Sequence, residues 1–227
     1  MSCSMQAKSM GAFITIEGGE GVGKSLLSNR LAAMLKSLGL DVIQTREPGG
    51  CQSAETIRGL FNQDLAHEPL TAISELFLVS AARSQHLEYT VLPNLQLGKW
   101  VICDRYTDST RVYQGALGGI EEATLERVIG LSTKGLQADL TLLLDCDTGI
   151  SEARLQARAS EKPEAEDGAS RYDEASAETH RKLRAAYLGL ANKFPDRIKV
   201  LDANQKPDKI AQQAYQLIQK QMGKDGF

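Results

Sequence analysis

The sequence predicts an α/β fold built on a parallel β-sheet. Three observations predict it: five short apolar runs have the length of strands, helical apolar patterns separate them, and most runs lack in–out alternation. A strand that is covered on both faces carries apolar side chains on both, which is typical of a parallel sheet between two layers of helices. We expect residues 1–227 to form one domain, because a chain of 227 residues has the length of one domain with additions.

The predicted elements follow in chain order. The strands are expected at residues 13–16, 42–44, 100–103, 140–144 and 198–201. Two helices have apolar residues spaced to form one face each, which should lie on the sheet: Leu27, Leu31, Met34, Leu35 and Leu38 in the first, and Ile210, Ala214, Leu217 and Ile218 in the last. A longer helical stretch is predicted over residues 70–97, with a kink or break at Pro93.

Composition and charge exclude several classes of protein. A hydrophobic content of 42% with 24% charged residues predicts a globular chain with its own core. The net charge of -3 gives no electrostatic basis for binding nucleic acid. No apolar run approaches the roughly 20 residues of a membrane-spanning helix, and no signal peptide is visible. We therefore expect no membrane association and a cytoplasmic location, which suits four cysteines without metal or disulfide spacing (Cys3, Cys51, Cys103 and Cys146).

Residues 161–170 carry almost no apolar side chain and are predicted to be mobile. Arginines flank this segment at Arg154, Arg158 and Arg171. Their positive charge makes residues 155–175, approximately, a candidate lid over an anionic ligand. The alternative is an ordinary solvated loop with incidental arginines.

Residues 18–25 match the phosphate-binding motif G-x-x-x-x-G-K-[ST], or P-loop, and lie between a predicted strand and a predicted helix. Glycines allow consecutive N–H groups to point inward, Lys24 reaches the outer phosphates, and Ser25 can bind Mg²⁺. The predicted nucleoside triphosphate site comprises Gly18, Gly19, Glu20, Gly21, Val22, Gly23, Lys24, Ser25 and Leu26. The motif predicts nucleotide binding only, because switches, motors and kinases share it.

A second magnesium ligand is expected at the carboxyl end of a strand, where ligands bind in such sheets. Asp104 and Asp145 each follow a predicted strand. We favour Asp104, because Arg105 follows it directly and a carboxylate beside a guanidinium suits a metal–phosphate site. The alternative for either acid is a helix cap or a salt-bridged loop residue.

Four ordered blocks carry a resemblance to a known family. They are residues 13–18 leading into the P-loop, residues 45–50 (Thr-Arg-Glu-Pro-Gly-Gly), Leu76-Phe77 with residues 81–83, and residues 104–115 from Asp-Arg-Tyr to Tyr-Gln-Gly. The chain resembles the thymidylate kinases over nearly its whole length. The resemblance implies a P-loop NTPase fold with a five-stranded parallel sheet flanked by helices, and a homodimer.

The activity implied is transfer of the γ-phosphoryl group of Mg-ATP to the 5′-phosphate of dTMP, which gives dTDP and ADP. One alternative is a kinase for another nucleoside monophosphate or a deoxynucleoside. A second alternative, from another class, is a nucleotide-dependent switch without catalysis. A switch, however, gives Arg46, Phe77, Arg83 and Arg105 no common purpose.

Two phosphate-bearing substrates repel each other, so the site needs several cations, and Lys24 and Arg105 are the first candidates. By resemblance, Arg105 holds the acceptor phosphate with help from Arg46, Phe77 stacks on the base, and Arg83 donates to a base carbonyl. Arg58 is a weaker candidate for the same help, and the alternative for it is an ordinary exposed position on a helix. The alternative for Phe77 is a position in the apolar core. The dTMP site implied comprises Glu20, Arg46, Pro48, Phe77, Arg83, Arg105, Ser109, Thr110, Tyr113 and Gln114.

Three positions depart from the family pattern. Cys51 stands where a threonine is common, and Arg111 stands where a small residue is usual. The glycine-rich run at residues 115–119 lacks an arginine that is often found there. By resemblance, family members carry an arginine either inside the P-loop or in the lid, and here the P-loop position is Gly21. The catalytic arginine that stabilises the transition state is therefore expected from the lid, at Arg158 or Arg171.

Overall fold

The computed structural model describes residues 11–61, 68–161 and 175–223. Its strands, all parallel and in the spatial order β2-β3-β1-β4-β5, are β1 (Phe13–Glu17), β2 (Val42–Arg46), β3 (Trp100–Asp104), β4 (Leu140–Asp145) and β5 (Ile198–Asp202). The helices are α1 (Lys24–Ser37), α2 (Gln52–Phe61), α3 (Ala72–His86), α4 (Leu92–Gln96), α5 (Thr107–Thr110), α6 (Glu122–Thr133), α7 (Thr148–Glu161), α8 (Ala177–Lys193) and α9 (Pro207–Met222). The predicted five-stranded parallel sheet is confirmed.

Alternate residues of the central strand β1 pack into two different apolar clusters. Ile14 and Ile16 join a cluster with the apolar faces of α1 and α9. Phe13 points to the opposite side, where it packs with residues of the long α3–α4 helix and of β3. Burial on both faces explains why the apolar runs show no alternation.

Each strand continues beyond its apolar run into one or two polar residues. The last residues of the five strands are Glu17, Arg46, Asp104, Asp145 and Asp202. Ladder hydrogen bonds hold these residues, since Arg46 and Ile16 both pair in register with Asp104. The carboxyl edge of the sheet is therefore lined by charged side chains on regular backbone.

The long helix predicted over residues 70–97 runs through Pro93 without a break. A π-helical turn (Leu87–Val91) joins α3 to α4, and a second π-helical segment (Arg111–Leu117) follows α5. The irregular turn lies just before Pro93, whose ring nitrogen cannot donate to the preceding turn. Among the described residues, none of the helices combines the length and apolar character that crossing a membrane requires.

Candidate active site

The P-loop connects β1 to α1 and is shaped by its glycines. Gly18, Gly21 and Gly23 have φ values of 140°, 72° and 99°, which side chains rarely adopt. Lys24 opens α1, and its Nζ donates to the carbonyl oxygens of Gly18 (3.2 Å) and Gly19 (2.6 Å). Burial lowers the pKa of Lys24 to about 8, and the nearby Arg105 contributes to the same shift. A phosphate chain in this loop would meet backbone donors, a helix N-terminus and an ammonium group.

Helix α7 packs against the P-loop at Gly21. A Cβ atom at this position would lie 2.4 Å from the carbonyl oxygen of Ser151 and 2.9 Å from Cγ of Leu155. No side chain fits there without moving the helix. The P-loop therefore presents backbone groups, and not a side chain, on this side.

Asp104, and not Asp145, lies beside the P-loop serine. Ser25 Oγ donates to Asp104 Oδ2 at 3.2 Å, and Oδ1 of Asp104 is buried without a hydrogen-bond partner among the described residues. Asp145 instead accepts two hydrogen bonds from Arg184, at 2.7 and 2.9 Å. A hydroxyl and a carboxylate are hard oxygen ligands of the kind Mg²⁺ prefers.

The described part of the chain holds no cluster of three or more His, Cys, Asp or Glu side chains suited to a metal ion. Such a cluster is not needed for Mg²⁺ in phosphoryl transfer, because the ion is held by one or two protein oxygens together with substrate phosphates and water. The pair Ser25 and Asp104 fits that pattern.

Arg105 reaches from the end of β3 across to the P-loop. Its Nη2 donates to Glu20 Oε1 at 2.9 Å, and its Nη1 donates to the carbonyl oxygen of Gly18 at 3.2 Å. Tyr113 donates to the same Glu20 oxygen at 2.6 Å, and its ring lies 5.1 Å from the guanidinium carbon. Burial would raise the pKa of Glu20, but Arg105 and Lys24 hold it below its usual value. The carboxylate is therefore charged and can accept hydrogen bonds from a ligand.

Glu17, at the end of β1, holds Arg105 in place through two hydroxyl groups. Ser109 Oγ and Tyr187 OH donate to Glu17 Oε2 at 2.6 and 3.2 Å, and both accept from Arg105 Nη1 at 3.2 Å. The other oxygen, Oε1, accepts from the backbone N–H groups of Tyr106 (2.7 Å) and Ser109 (3.2 Å). One carboxylate thus orders both the backbone and the guanidinium of this segment.

Sequence reasoning gave no role to Glu17 or Tyr187. A charged residue directly after a predicted strand, and directly before the P-loop, was the available signal for Glu17. Tyr187 lies 170 residues away on α8, and only the fold brings it to the site. Burial, and then repulsion from Asp108, raise the pKa of Glu17 to about 7.

On the opposite side of the site, Arg83 is buried and held by two partners. Its Nε donates to Glu47 Oε2 at 2.7 Å and its Nη2 donates to Thr110 Oγ1 at 2.9 Å. On the same helix, Phe77 is 57% exposed while its neighbour Leu76 is fully buried. Phe77 is therefore not a core aromatic, and its ring is available to a ligand.

The remaining predicted acceptor residues lie near this region but have partners within the protein. Arg46 Nη2 pairs with Glu55 at 3.3 Å, and Arg58 Nη1 donates to the carbonyl oxygen of Pro48 at 3.1 Å. Gln114 is buried, and its amide donates to Glu75 at 3.2 Å. Cys51 is a partly buried free thiol just before α2.

Arg111, the departure from the family pattern, is committed to ion pairs. Its Nε and Nη2 donate to the two oxygens of Glu126 at 2.6 and 2.8 Å, and its Nη1 donates to Asp108 at 3.0 Å. The guanidinium also lies over the ring of Phe194. These contacts bind the second π-helical segment to α6 and give Arg111 a structural role.

Most of the predicted lid, including Arg171, lies outside the described residues. Arg158 is exposed near the end of α7. Arg154, one turn earlier, turns back toward the end of β5 and donates to the carbonyl oxygen of Ala203 at 3.1 Å. An ion pair between Arg184 on α8 and Asp145 at the end of β4 holds α8 against the sheet.

Comparison with known proteins agrees with this geometry. A family sequence model described as thymidylate kinase matches residues 16–214. The thymidylate kinase of Chromohalobacter salexigens is 41% identical over 194 residues, covering 86% of this chain and 88% of that protein. The thymidylate kinase of Protochlamydia amoebophila is 41% identical over 218 residues, covering 94% and 95%. The crystal structure of thymidylate kinase from Ehrlichia chaffeensis has a TM-score of 0.73 at 26% identity and covers 92% of this chain and 100% of that chain. The chain therefore belongs to the thymidylate kinase family and is a phosphotransferase that phosphorylates dTMP to dTDP.

Proposed function

We propose that ATP binds at residues 18–26 and that dTMP enters beside Arg105 with its phosphate toward the P-loop. An oxygen of the dTMP phosphate forms the new bond to the γ-phosphorus as the bond from that phosphorus to the β,γ-bridging oxygen breaks, and ADP leaves. The position of Arg105 carries this proposal. Its guanidinium contacts the P-loop carbonyl of Gly18 and also Glu20 and Ser109. A single cation thus stands between the donor and the acceptor sites.

Lys24 and Arg105 neutralise the charge that gathers as the two phosphates meet. Glu20 accepts a hydrogen bond from the acceptor sugar, and Tyr113, which donates to Glu20, closes the space beside it. Arg46 assists with the acceptor phosphate. Phe77 stacks on the base and Arg83 donates to a base carbonyl, with Pro48, Ser109, Thr110 and Gln114 completing the pocket.

Mg²⁺ is the cofactor that we propose, held by Ser25 and Asp104. When bound with ATP, the ion would neutralise charge on the phosphates. The buried oxygen Oδ1 of Asp104, without a hydrogen-bond partner among the described residues, supports this assignment. Asp145 is the weaker candidate, because both of its oxygens already accept from Arg184.

We also propose that a lid arginine, Arg158 or Arg171, completes the transition-state charge. The packing of α7 against Gly21 supports this proposal, since it leaves no room for an arginine inside the P-loop. Replacing either lid arginine by alanine should then lower kcat with little change in the KM for dTMP. Wild-type kcat in both Arg158→Ala and Arg171→Ala would falsify the lid role.

A coupled ADP-release assay with Mg-ATP tests the acceptor assignment. The panel comprises dTMP, dUMP, dCMP, dGMP and AMP, and dTMP should give the highest kcat/KM. If dUMP or AMP equals dTMP, the assignment of Phe77 and Arg83 fails and a kinase for another monophosphate is favoured. The exposed ring of Phe77 and the buried guanidinium of Arg83 support a site built for one base.

The remaining expectations are proposals as well. We propose one kinase domain with a lid over residues 155–175, approximately, whose first residues, 155–161, form the end of α7 and which ends just before α8. The free thiols of Cys51, Cys103 and Cys146 suit the reducing cytoplasm. The homodimer rests on the family resemblance alone and is tested by light scattering of the purified chain.

A further inference from the structure

We propose that His86 is a positioning residue for recognition of the acceptor base. It acts through Glu47, which in turn fixes the guanidinium of Arg83. The inference rests on the proposed role of Arg83 and extends it to residues that do not touch the base. It assigns a function to a buried histidine that the reaction itself does not use.

The contacts form one continuous chain of hydrogen bonds. His86 is fully buried on the last turn of α3, directly before the π-helical turn. Its Nδ1 donates to Glu47 Oε1 at 3.0 Å, and its Nε2 shares a hydrogen bond with Thr45 Oγ1 at 2.6 Å. The second oxygen of Glu47 accepts from Arg83 Nε at 2.7 Å. The imidazole therefore fixes the rotation of the carboxylate that holds Arg83.

The guanidinium of Arg83 is fixed at two of its three nitrogens. Glu47 accepts from Nε, and Thr110 accepts from Nη2. The ring of Tyr106 lies 5.1 Å from the guanidinium carbon and fixes its plane. Nη1 is buried but has no hydrogen-bond partner among the described residues. A buried donor without a partner is costly, so an oriented N–H group held ready for a ligand carbonyl accounts for it.

The loop that carries Arg46 and Pro48 also packs on the imidazole. A Cβ atom at Gly50 would lie 2.4 Å from Thr45 Oγ1 and 2.5 Å from His86 Nε2. The hydroxyl of Thr90, in the π-helical turn, donates to the carbonyl oxygen of Gly50 at 2.8 Å. His86 thus links the loop proposed for the acceptor phosphate with the arginine proposed for the base.

A purely structural role for His86 predicts a different result. Loss of a buried polar contact would then lower the thermal midpoint and leave the affinities for both substrates unchanged. A positioning role predicts a selective effect on dTMP, because ATP binds at the other side of Arg105. The ratio of the two KM values separates these accounts.

The experiment uses the full chain, Mg-ATP and dTMP in the ADP-release assay, with thermal midpoints for every variant. His86→Gln should raise the KM for dTMP about tenfold, since one hydrogen bond to a charged group is lost, and leave the KM for ATP within about twofold. Thr45→Val, which keeps the side-chain shape, should raise the KM for dTMP about threefold. Val91→Ala, a buried apolar change in the neighbouring turn, is the matched control and should lower the thermal midpoint only.

A double-mutant cycle with Arg83→Met tests whether His86 acts through Arg83. In that background His86→Gln should give no further rise in the KM for dTMP. An additive rise, or an equal rise for ATP, overturns the inference. If Arg83→Met itself leaves the KM for dTMP unchanged, the proposed base site fails. If only His86→Gln and Thr45→Val lack an effect, the base site stands and the inference fails. Should His86→Gln not fold, Thr45→Val carries the same cycle.

Discussion

The proposed donor site presents mainly backbone groups to its ligand, whereas the proposed acceptor site presents side chains. The proposed donor site is the continuous run of residues 18–26, whose glycines present backbone N–H groups, with Lys24 as its cation. The proposed acceptor site is made mainly of side chains from the end of β2, from α3, from Arg105 directly after β3, from α5 and from the second π-helical segment. Its charged groups are held by other buried groups, such as Glu17 behind Arg105 and Glu47 behind Arg83.

Because of this difference, the two sites should respond differently to mutation. A backbone cradle depends on few side chains, so its sensitive positions are its glycines, Lys24, the proposed metal ligand Ser25 and the helix behind it. A pocket of buried guanidinium groups depends on residues that never touch the ligand, because orientation there is set by partners. Three predictions test this contrast.

The largest effect is expected from Lys24→Met. Loss of the ammonium group removes charge stabilisation at the outer phosphates, so kcat/KM for ATP should fall about 10³-fold. In the wild type, ATP binding should weaken as the pH rises above 8, because Lys24 is protonated only below its lowered pKa of about 8. Initial rates and ATP titrations across pH 6.5–9.5, approximately, measure both.

Lys36→Met is the matched control, since Lys36 lies exposed at the end of the same helix. Its kcat/KM should match the wild type. Activity of Lys24→Met within tenfold of the wild type would contradict a cationic role for the P-loop lysine.

An intermediate effect is expected from Glu17→Gln, which disturbs the proposed acceptor site without removing a residue proposed to contact dTMP. If the new amide nitrogen takes the place of Oε2, the hydroxyls of Ser109 and Tyr187 lose their acceptor and meet N–H donors both from this amide and from Arg105. Above pH 7, where Glu17 is ionised, the KM for dTMP should rise about tenfold while the KM for ATP stays within about twofold. Kinetics with each substrate varied in turn measure the split, and equal changes in both would contradict the contrast between the two sides.

The same variant alters the pH dependence of stability. Between pH 4.5 and 7 the unfolded chain ionises Glu17 while the folded chain keeps the proton, because its folded pKa is raised to about 7. The contribution of Glu17 to the free energy of unfolding is thus largest below pH 4.5. It falls by roughly 3 kcal/mol as the pH rises through 7. Denaturant unfolding should show that Glu17→Gln lacks this fall, and an unchanged pH profile would contradict the assignment.

The smallest effect on activity is expected from Arg111→Ala. Its ion pairs with Glu126 and Asp108 support the second π-helical segment and leave the substrates untouched. Both KM values should stay within about twofold, and the thermal midpoint should fall about 2–4 °C for a loss of about 1 kcal/mol. A large loss of dTMP affinity would instead place this arginine in the acceptor site.

The strands and the P-loop were predictable because their signals are local. The apolar runs of β1, β3 and β4 mark the buried part of each strand, whereas the edge strands β2 and β5 are partly exposed. The hydrogen-bond ladder continues beyond the runs into charged residues such as Glu17, Arg46 and Asp104. Runs of hydrophobic residues therefore miss the strand ends, where the functional side chains lie. Pro93 was the local signal for an irregularity in the long helix, but it did not predict that the irregularity is a π-helical turn at Leu87–Val91.

The supporting residues of the acceptor side could not be predicted from local pattern. Tyr187 meets Glu17 only because α8 returns across the sheet, and His86 meets Glu47 across 39 residues of chain. The family resemblance named the residues that should touch dTMP, but not those that hold them. Burial and hydrogen-bond partners in three dimensions supply that second group.

Arg105 has a backbone φ of 69°, in the left-handed region where a side chain costs about 1–2 kcal/mol. Glycine would adopt this conformation without strain, but Arg105→Gly would also remove the ion pair that offsets the buried charge of Glu20. Leaving a buried carboxylate without its cation costs about 3–5 kcal/mol, which exceeds the strain that glycine relieves. Selection for heat resistance and selection for turnover should therefore keep the same residue at this position.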